Sequence, residues 1–465
     1  MTQPSKPSAQ PAARGFFGHP KGLAYLAFTE AWERFSFYGM SALLLLYMIQ
    51  HLLTPEVMGG VLGLARFRGA LEWVTGPLSD QAFAAQVYGL YSGLVYFTPV
   101  FGGLLADRLL GQRRTVLLGG ALMALGHALM ASEAAFLAAL ALLVVGSGCL
   151  KGNISVQVGH LYGPHEEARR TRAYAIFSAA INAGVLLGPL ACALLADAFG
   201  WHVGFAAAGV MMLVAMAIYV SGRRHLPPDV MGGRGPGRRV ALGRHDWRVV
   251  AALLLLSALA ILPTLAYNQA FIAGLLMIEA SVDRQWLGWT IPTNTFNALD
   301  GLFCILLVPP LVMLWRWQAR RGREPDDMHK IAIGYLVTAF ASLLMVIPAA
   351  RIDAGAASVG LAWPVLLFAF NALGFLYYWP TLLALYSRAA PAAVNSTMMG
   401  VLFFSTFFGN VLSGTLGRLW ETMSHACFFW LHAALAFAPF IVMLLVAAPL
   451  RRLFAPSPSP GAVHP

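Results

Sequence analysis

The chain has 465 residues, of which 58% are hydrophobic and only 11% charged, and a mean hydropathy of +0.68. That balance excludes a soluble globular protein and fits a multi-pass membrane protein. The formal charge of +11 would suit nucleic acid in a soluble protein, but in a membrane protein it belongs to cytoplasmic loops, so no nucleic-acid partner is expected.

Residues 1–22 are polar, rich in Pro, Ser and Ala, and lack the apolar core of a cleavable signal. They read as a disordered cytosolic tail, as does 451–465. Between them, apolar runs long enough to span occur near 23–52, 86–110, 115–131, 134–160, 173–199, 202–222, 247–279, 287–315, 329–350, 360–387, 394–418 and 426–450. Twelve spans put both termini on one side. With that side cytoplasmic, 24 of the 31 Lys and Arg fall in cytoplasmic segments, five in outer loops, and two, Arg34 and Lys151, inside the membrane.

The first span holds TEAWERFSFYG, where Glu30, Glu33 and Arg34 at i, i+3 and i+4 share one helix face. Each such side chain costs about 2.5–3.5 kcal/mol in mid-membrane on insertion scales. Either the group snorkels from a helix end, or it lines a charged cavity inside a bundle. Residues 53–85 form a long outer loop of mixed polarity, amphipathic in places, which predicts a short interfacial helix. After the second span comes GLLADRLLGQRR, whose glycines permit close helix approach and a tight turn. Its Asp107 is placed to pair with arginines (Arg108, Arg113, Arg114) or a helix N-terminus, as a conformational latch. The Gly/Arg/Pro-rich segment 223–248 carries seven arginines and divides the spans into two six-helix halves, 23–222 and 249–450, joined by a cytosolic linker. Such an arrangement suits alternating access, with substrate bound between the halves.

The loop motif G-x-x-x-D-R-x-x-G-x-R-R, complete at Gly103, Asp107, Arg108, Gly111, Arg113 and Arg114, resembles that of the major facilitator superfamily. Within it, E-x-x-E-R-F-x-x-Y at Glu30, Glu33, Arg34, Phe35 and Tyr38 looks like the first-helix signature of the proton-dependent oligopeptide transporters. VYFTPVFGG, GSGCLKGNIS, FSAAINAGVLLGP and GWHVGFAAAGV match in order through the first half; YNQ, IPTNTFNALD and MMGVLFFSTFFGN match more loosely in the second. The resemblance implies an all-α membrane protein of the major facilitator fold that takes up di- or tripeptides with protons, in a bacterial inner membrane. It places Arg34 and Lys151 near the peptide carboxylate and the Glu30/Glu33 pair in proton coupling. Tyr38, Tyr96, Asn182 and Gln269 then fall at polar positions of the substrate site. Each has a plainer reading beside it: Lys151 as a helix-end anchor, the tyrosines as packing aromatics, Asn182 as a helix-to-helix tie.

Three departures from the family pattern stand out. Asn268 replaces an acid before Gln269, Phe375 follows Gly374 where a glutamate is usual, and Asp300–Gly301 stands where asparagine–proline is usual. Asp300 is thus a gained acid, expected either to meet a peptide's amino group or to carry a coupling proton, unless it is a cap or interface charge. The linker is also too short for the extra helix pair that many bacterial members carry. The four cysteines lie in separate apolar segments without CxxC spacing, and no nucleophile–base set or phosphate-cradling loop is present, so neither metal, cofactor nor enzymatic activity is expected. Another small zwitterion or organic anion as cargo, and a non-transporting peptide receptor, remain as alternative functions.

Overall fold

The computed structural model describes residues 18–163, 166–228, 242–391 and 394–454. The expected tails, apart from their inner ends, and the middle of the linker lie outside them.

Helix α1 (Lys21–Tyr47) ends in a wider turn, Met48–Leu52, and is followed by α2 (Pro55–Met58) and α3 (Leu64–Thr75). The expected short helix in the first loop is therefore present. Helices α4 (Asp80–Phe97) and α5 (Pro99–Leu105) form one span bent at Pro99, whose missing N–H and fixed φ suit the first turn of a new helix. Then come α6 (Gln112–Leu129), α7 (Phe136–His160), α8 (Glu167–Phe199) and α9 (Trp201–Gly222). Helix α10 (Arg244–Asn268) breaks at Gln269–Phe271 and resumes as α11 (Ala273–Ser281). Last are α12 (Ala298–Arg320), α13 (Asp327–Asp353), α14 (Ala362–Ala389), α15 (Asn395–Gly417) and α16 (His425–Phe454).

Among the described residues eleven helical segments are long and apolar enough to cross a membrane. The twelfth expected span is α6, which opens on Gln112, Arg113 and Arg114 and so is less apolar over its length. The eighth span also starts later than the apolar run predicted. Residues 285–290 instead form a hairpin, β1 (Gln285–Trp286) and β2 (Trp289–Thr290), because Leu287 and Gly288 take positive φ, a reversal no helix accommodates.

In the first group of six, α1 packs on α8 and α9, and α6 on α7; in the second, α13 packs on α14 and α16, and α10 on α15. The groups meet along two seams, α4 against α15 and α8 against α12. Glycines set the first seam. A Cβ on Gly89 would lie 2.6 Å from the Asn410 carbonyl oxygen, and one on Gly414 would lie 2.6 Å from that of Ala85. Only hydrogen fits there. On the second seam a Cβ on Gly301 would come within 3.0 Å of the Leu186 nitrogen, which gives the unusual glycine after Asp300 a packing role.

The two groups are tied together at the end of the bundle far from the termini. Gln50 Nε2 donates to Glu279 Oε1 (3.0 Å), Arg418 to the Thr75 carbonyl (2.7 Å), Asn297 to the Ala42 carbonyl (3.4 Å), and Ser79 to Glu421. The far end is thus bridged by hydrogen bonds between the groups.

Candidate substrate site

Glu30, Glu33 and Arg34 sit well inside α1, and their exposures of 2%, 0% and 2% exclude snorkelling to a headgroup. Arg34 Nε lies 3.1 Å from Glu30 Oε1 and 2.5 Å from Glu33 Oε2, so two carboxylates share one guanidinium. The cluster is enclosed by close packing of α8. A Cβ on Gly184 would lie 2.3 Å from the Ala31 carbonyl oxygen and 2.7 Å from Arg34 Cβ; one on Gly188 would lie 2.3 Å from the Phe35 carbonyl oxygen. The stretch NAGVLLGP thus does more than supply Asn182: its two glycines let α8 lie directly on the charged face of α1.

Between the two groups of helices is a cavity of about 260 Å³. Tyr38, Tyr96 and Asn182 line it on one side, and Tyr267, Asn268, Asp300 and Phe375 on the other. Among the described residues Asp300 is the only charged one of that lining. Its Oδ1 accepts a hydrogen bond from the Tyr267 hydroxyl (2.8 Å), and the Tyr267 ring stacks on Phe375 (5.5 Å between centroids, 28° between planes). The residue that replaces the usual tenth-helix acid therefore holds the tyrosine that holds Asp300.

The expectation of one charged cavity needs revision in its details. Arg34, Glu30 and Glu33 are not part of the cavity wall; they form a closed cluster beside it. Lys151 on α7 is one ring away from the cavity, its Nζ lying 4.4 Å from the centroid of Tyr96 and 5.9 Å from that of Phe37, both lining residues. It is partly exposed, and among the described residues no carboxylate lies within 4.0 Å of its ammonium. Gln269 points elsewhere: its Nε2 donates to the Ser413 carbonyl (2.9 Å), tying α10 to α15 at the break in α10. Further lining residues were quoted in the motifs without a role, among them Asn297 and Asn410. An asparagine within an apolar stretch is the signal that could have singled them out.

The loop motif lies at the end that carries the termini. Asp107, Arg108 and Arg114 are exposed, and Asp107 makes no ion pair among the described residues. Arg113 instead donates to the carbonyl oxygens of Pro227 (Nε, 2.8 Å) and Leu226, pinning the chain where it leaves α9.

Comparison with known proteins agrees with this architecture. The model of the POT family matches residues 113–234 and 243–431. The chain is 30% identical to the peptide transporter YePEPT of Yersinia enterocolitica subsp. palearctica, covering 95% of this chain and 97% of that one. It is 28% identical to a di-/tripeptide transporter of Lactococcus lactis subsp. lactis, over 94% and 97% of the two chains. Among solved structures, a mutant of a peptide transporter POT in complex with alafosfalin superposes with a TM-score of 0.82 at 26% identity, over 96% of this chain and 98% of that one. With a family model spanning most of its length and relatives aligned nearly end to end, the chain belongs to the POT family, the proton-dependent oligopeptide transporters.

Proposed function

We propose that this protein imports di- or tripeptides, or close peptide-like molecules, together with protons, as a transporter and not an enzyme, in a bacterial inner membrane with both termini cytoplasmic. The observation that carries the reading is polarity. Among the described residues the cavity wall has a single charge, Asp300, on one side, while the Lys151 ammonium sits one aromatic ring beyond the other side with no carboxylate within 4.0 Å. A zwitterion can lie between them, its carboxylate toward Lys151 and its ammonium toward Asp300. Tyr38, Tyr96 and Asn182 hydrogen-bond the backbone between the two poles, which leaves side chains unselected. The cavity volume is just below the roughly 300 Å³ at which small-molecule sites begin, which favours short peptides.

Proton coupling falls to the α1 cluster. Fully ionised, Glu30, Glu33 and Arg34 carry one negative charge in excess, and an uncompensated buried charge is costly. Either a proton or the cation of Lys151 relieves it, so the carboxylates and the peptide compete for Lys151. A proton on the Glu30/Glu33 pair frees Lys151 for the substrate. Peptide entry and proton entry are thereby linked. Asp107, at the cytoplasmic end, makes no ion pair among the described residues in a conformation bridged at the far, periplasmic end; its pairing belongs to the opposite state.

The test is uptake of labelled dipeptide into sealed vesicles under an inward proton gradient. Accumulation above equilibrium is expected, with Glu33→Gln abolishing it while sparing peptide exchange, since glutamine mimics only the protonated state. Binding without any accumulation would make the protein a receptor. A second reading, another small zwitterion or organic anion as cargo, is favoured by the absence of acids at Asn268 and Phe375. A ligand panel scored by thermal stabilisation decides between them.

A further inference from the structure

Helix α3 lacks the wholly polar outer face of a helix bathed in water, although its inner side is apolar at Leu64, Phe67 and Leu71. The side turned to the protein carries Phe67 and Leu71 but also the polar Arg68 and Glu72, whereas Ala65, Arg66, Gly69, Ala70, Trp73 and Val74 are exposed. Trp73 is 88% and Val74 75% exposed. Arg68 accounts for the inner face: it donates to Glu72 (2.9 Å), Asp80 (2.7 Å) and the Leu78 carbonyl (2.5 Å), and its guanidinium stacks over Phe83 of α4. Nothing among the described residues covers the outer face. Large, adjacent exposed apolar side chains on a rigid helix mark a surface that something covers.

We propose that this face of α3 is seated in the headgroup–acyl boundary of the periplasmic leaflet, with Trp73 and Val74 inserted and Arg66 reaching lipid phosphates. Three observations choose lipid as the occupant. Helix α3 lies between the end of one span, Leu52, and the start of the next, Asp80, and only the short link 76–79 parts it from the latter, which keeps its C-terminal end at the level where that span leaves the membrane. Tryptophan and arginine on one face are what that boundary favours. The end of α3 also adjoins α15: Arg418, just beyond that helix, donates to the Thr75 carbonyl, and Phe404, Phe408 and Leu412 are exposed along α15 at i, i+4 and i+8. The same bond crosses from one six-helix group to the other.

The experiment uses the full chain in phosphatidylethanolamine–phosphatidylglycerol vesicles and needs no transport activity, so its outcome is separate from that of the proposed function. A polarity-sensitive fluorophore is attached to Trp73→Cys and, as aqueous control, to Ser358→Cys in the exposed α13–α14 loop, each in a Cys427→Ser background. Brominated acyl chains should remove most of the emission at position 73 and little at 358, and aqueous iodide should do the reverse. Iodide quenching at position 73 equal to that at 358, with no bromolipid quenching, overturns the proposal. Because both positions are exposed, neither substitution disturbs packing, and a Val74→Cys label repeats the measurement at the adjacent site.

Discussion

Asp300→Asn isolates a charge without disturbing a shape. The asparagine side-chain oxygen can still accept the 2.8 Å hydrogen bond from the Tyr267 hydroxyl, and the Tyr267–Phe375 stack is untouched, so the cavity keeps its form. What is lost is the only negative charge that the described residues place on the wall. Removing one partner of a buried, hydrogen-bonded charge pair costs about 2–5 kcal/mol of binding. Since asparagine retains a polar acceptor for the ammonium, the low end applies, and about 2 kcal/mol corresponds to a roughly 30-fold rise in Kd. An N-acetylated peptide has no ammonium and should lose little. The assay is calorimetric or fluorescence titration of free and N-acetylated dipeptide against the wild type and the variant. Equal losses for both ligands, or none for either, would refute the assignment of Asp300 as the amino pole. Intact binding with loss of pH-driven uptake would instead make Asp300 a proton carrier.

Two further substitutions probe the other pole and its support. Lys151→Ala should weaken a free dipeptide by about 10- to 150-fold, the loss of a hydrogen bond to a charged group, while its C-terminally amidated analogue changes little; titration of the pair measures this. Gly184→Ala places a methyl 2.3 Å from the Ala31 carbonyl oxygen, so α1 and α8 must separate. Overpacking of this kind costs about 1–3 kcal/mol, and a fall in the melting temperature of the purified protein should accompany the loss of coupled uptake. An unchanged melting temperature would show that the two helices are less tightly apposed than described.

What the sequence determined by itself was the membrane class, the run of spans and the residues that had to be special. Hydrophobic length is a local property of consecutive residues, so all twelve spans could be read directly, even α6, the least apolar, and the cost of Glu30, Glu33 and Arg34 in lipid marked them before any neighbour was known. Where local rules failed, a local conformation had intervened: positive φ at Leu287 and Gly288 turned the start of an apolar run into a hairpin. That Glu30, Glu33 and Arg34 share a face followed from their spacing, but which groups border the cavity was beyond the sequence, because contact between helices depends on how closely their backbones approach. Gly184 and Gly188 bring α8 onto α1 and close the Arg34 cluster, and Gly89 and Gly414 bring α4 onto α15. As a result Arg34 and Lys151, alike as lone cations within apolar runs, have different surroundings, one bound by two carboxylates and the other resting on Tyr96 beside the cavity. Gln269 likewise sits in a motif yet serves the backbone of Ser413, and Tyr267, two residues before it, holds Asp300. A helix turns about 100° per residue, and the break at Gln269–Phe271 resets that rotation, so the faces on either side of it were settled only by packing.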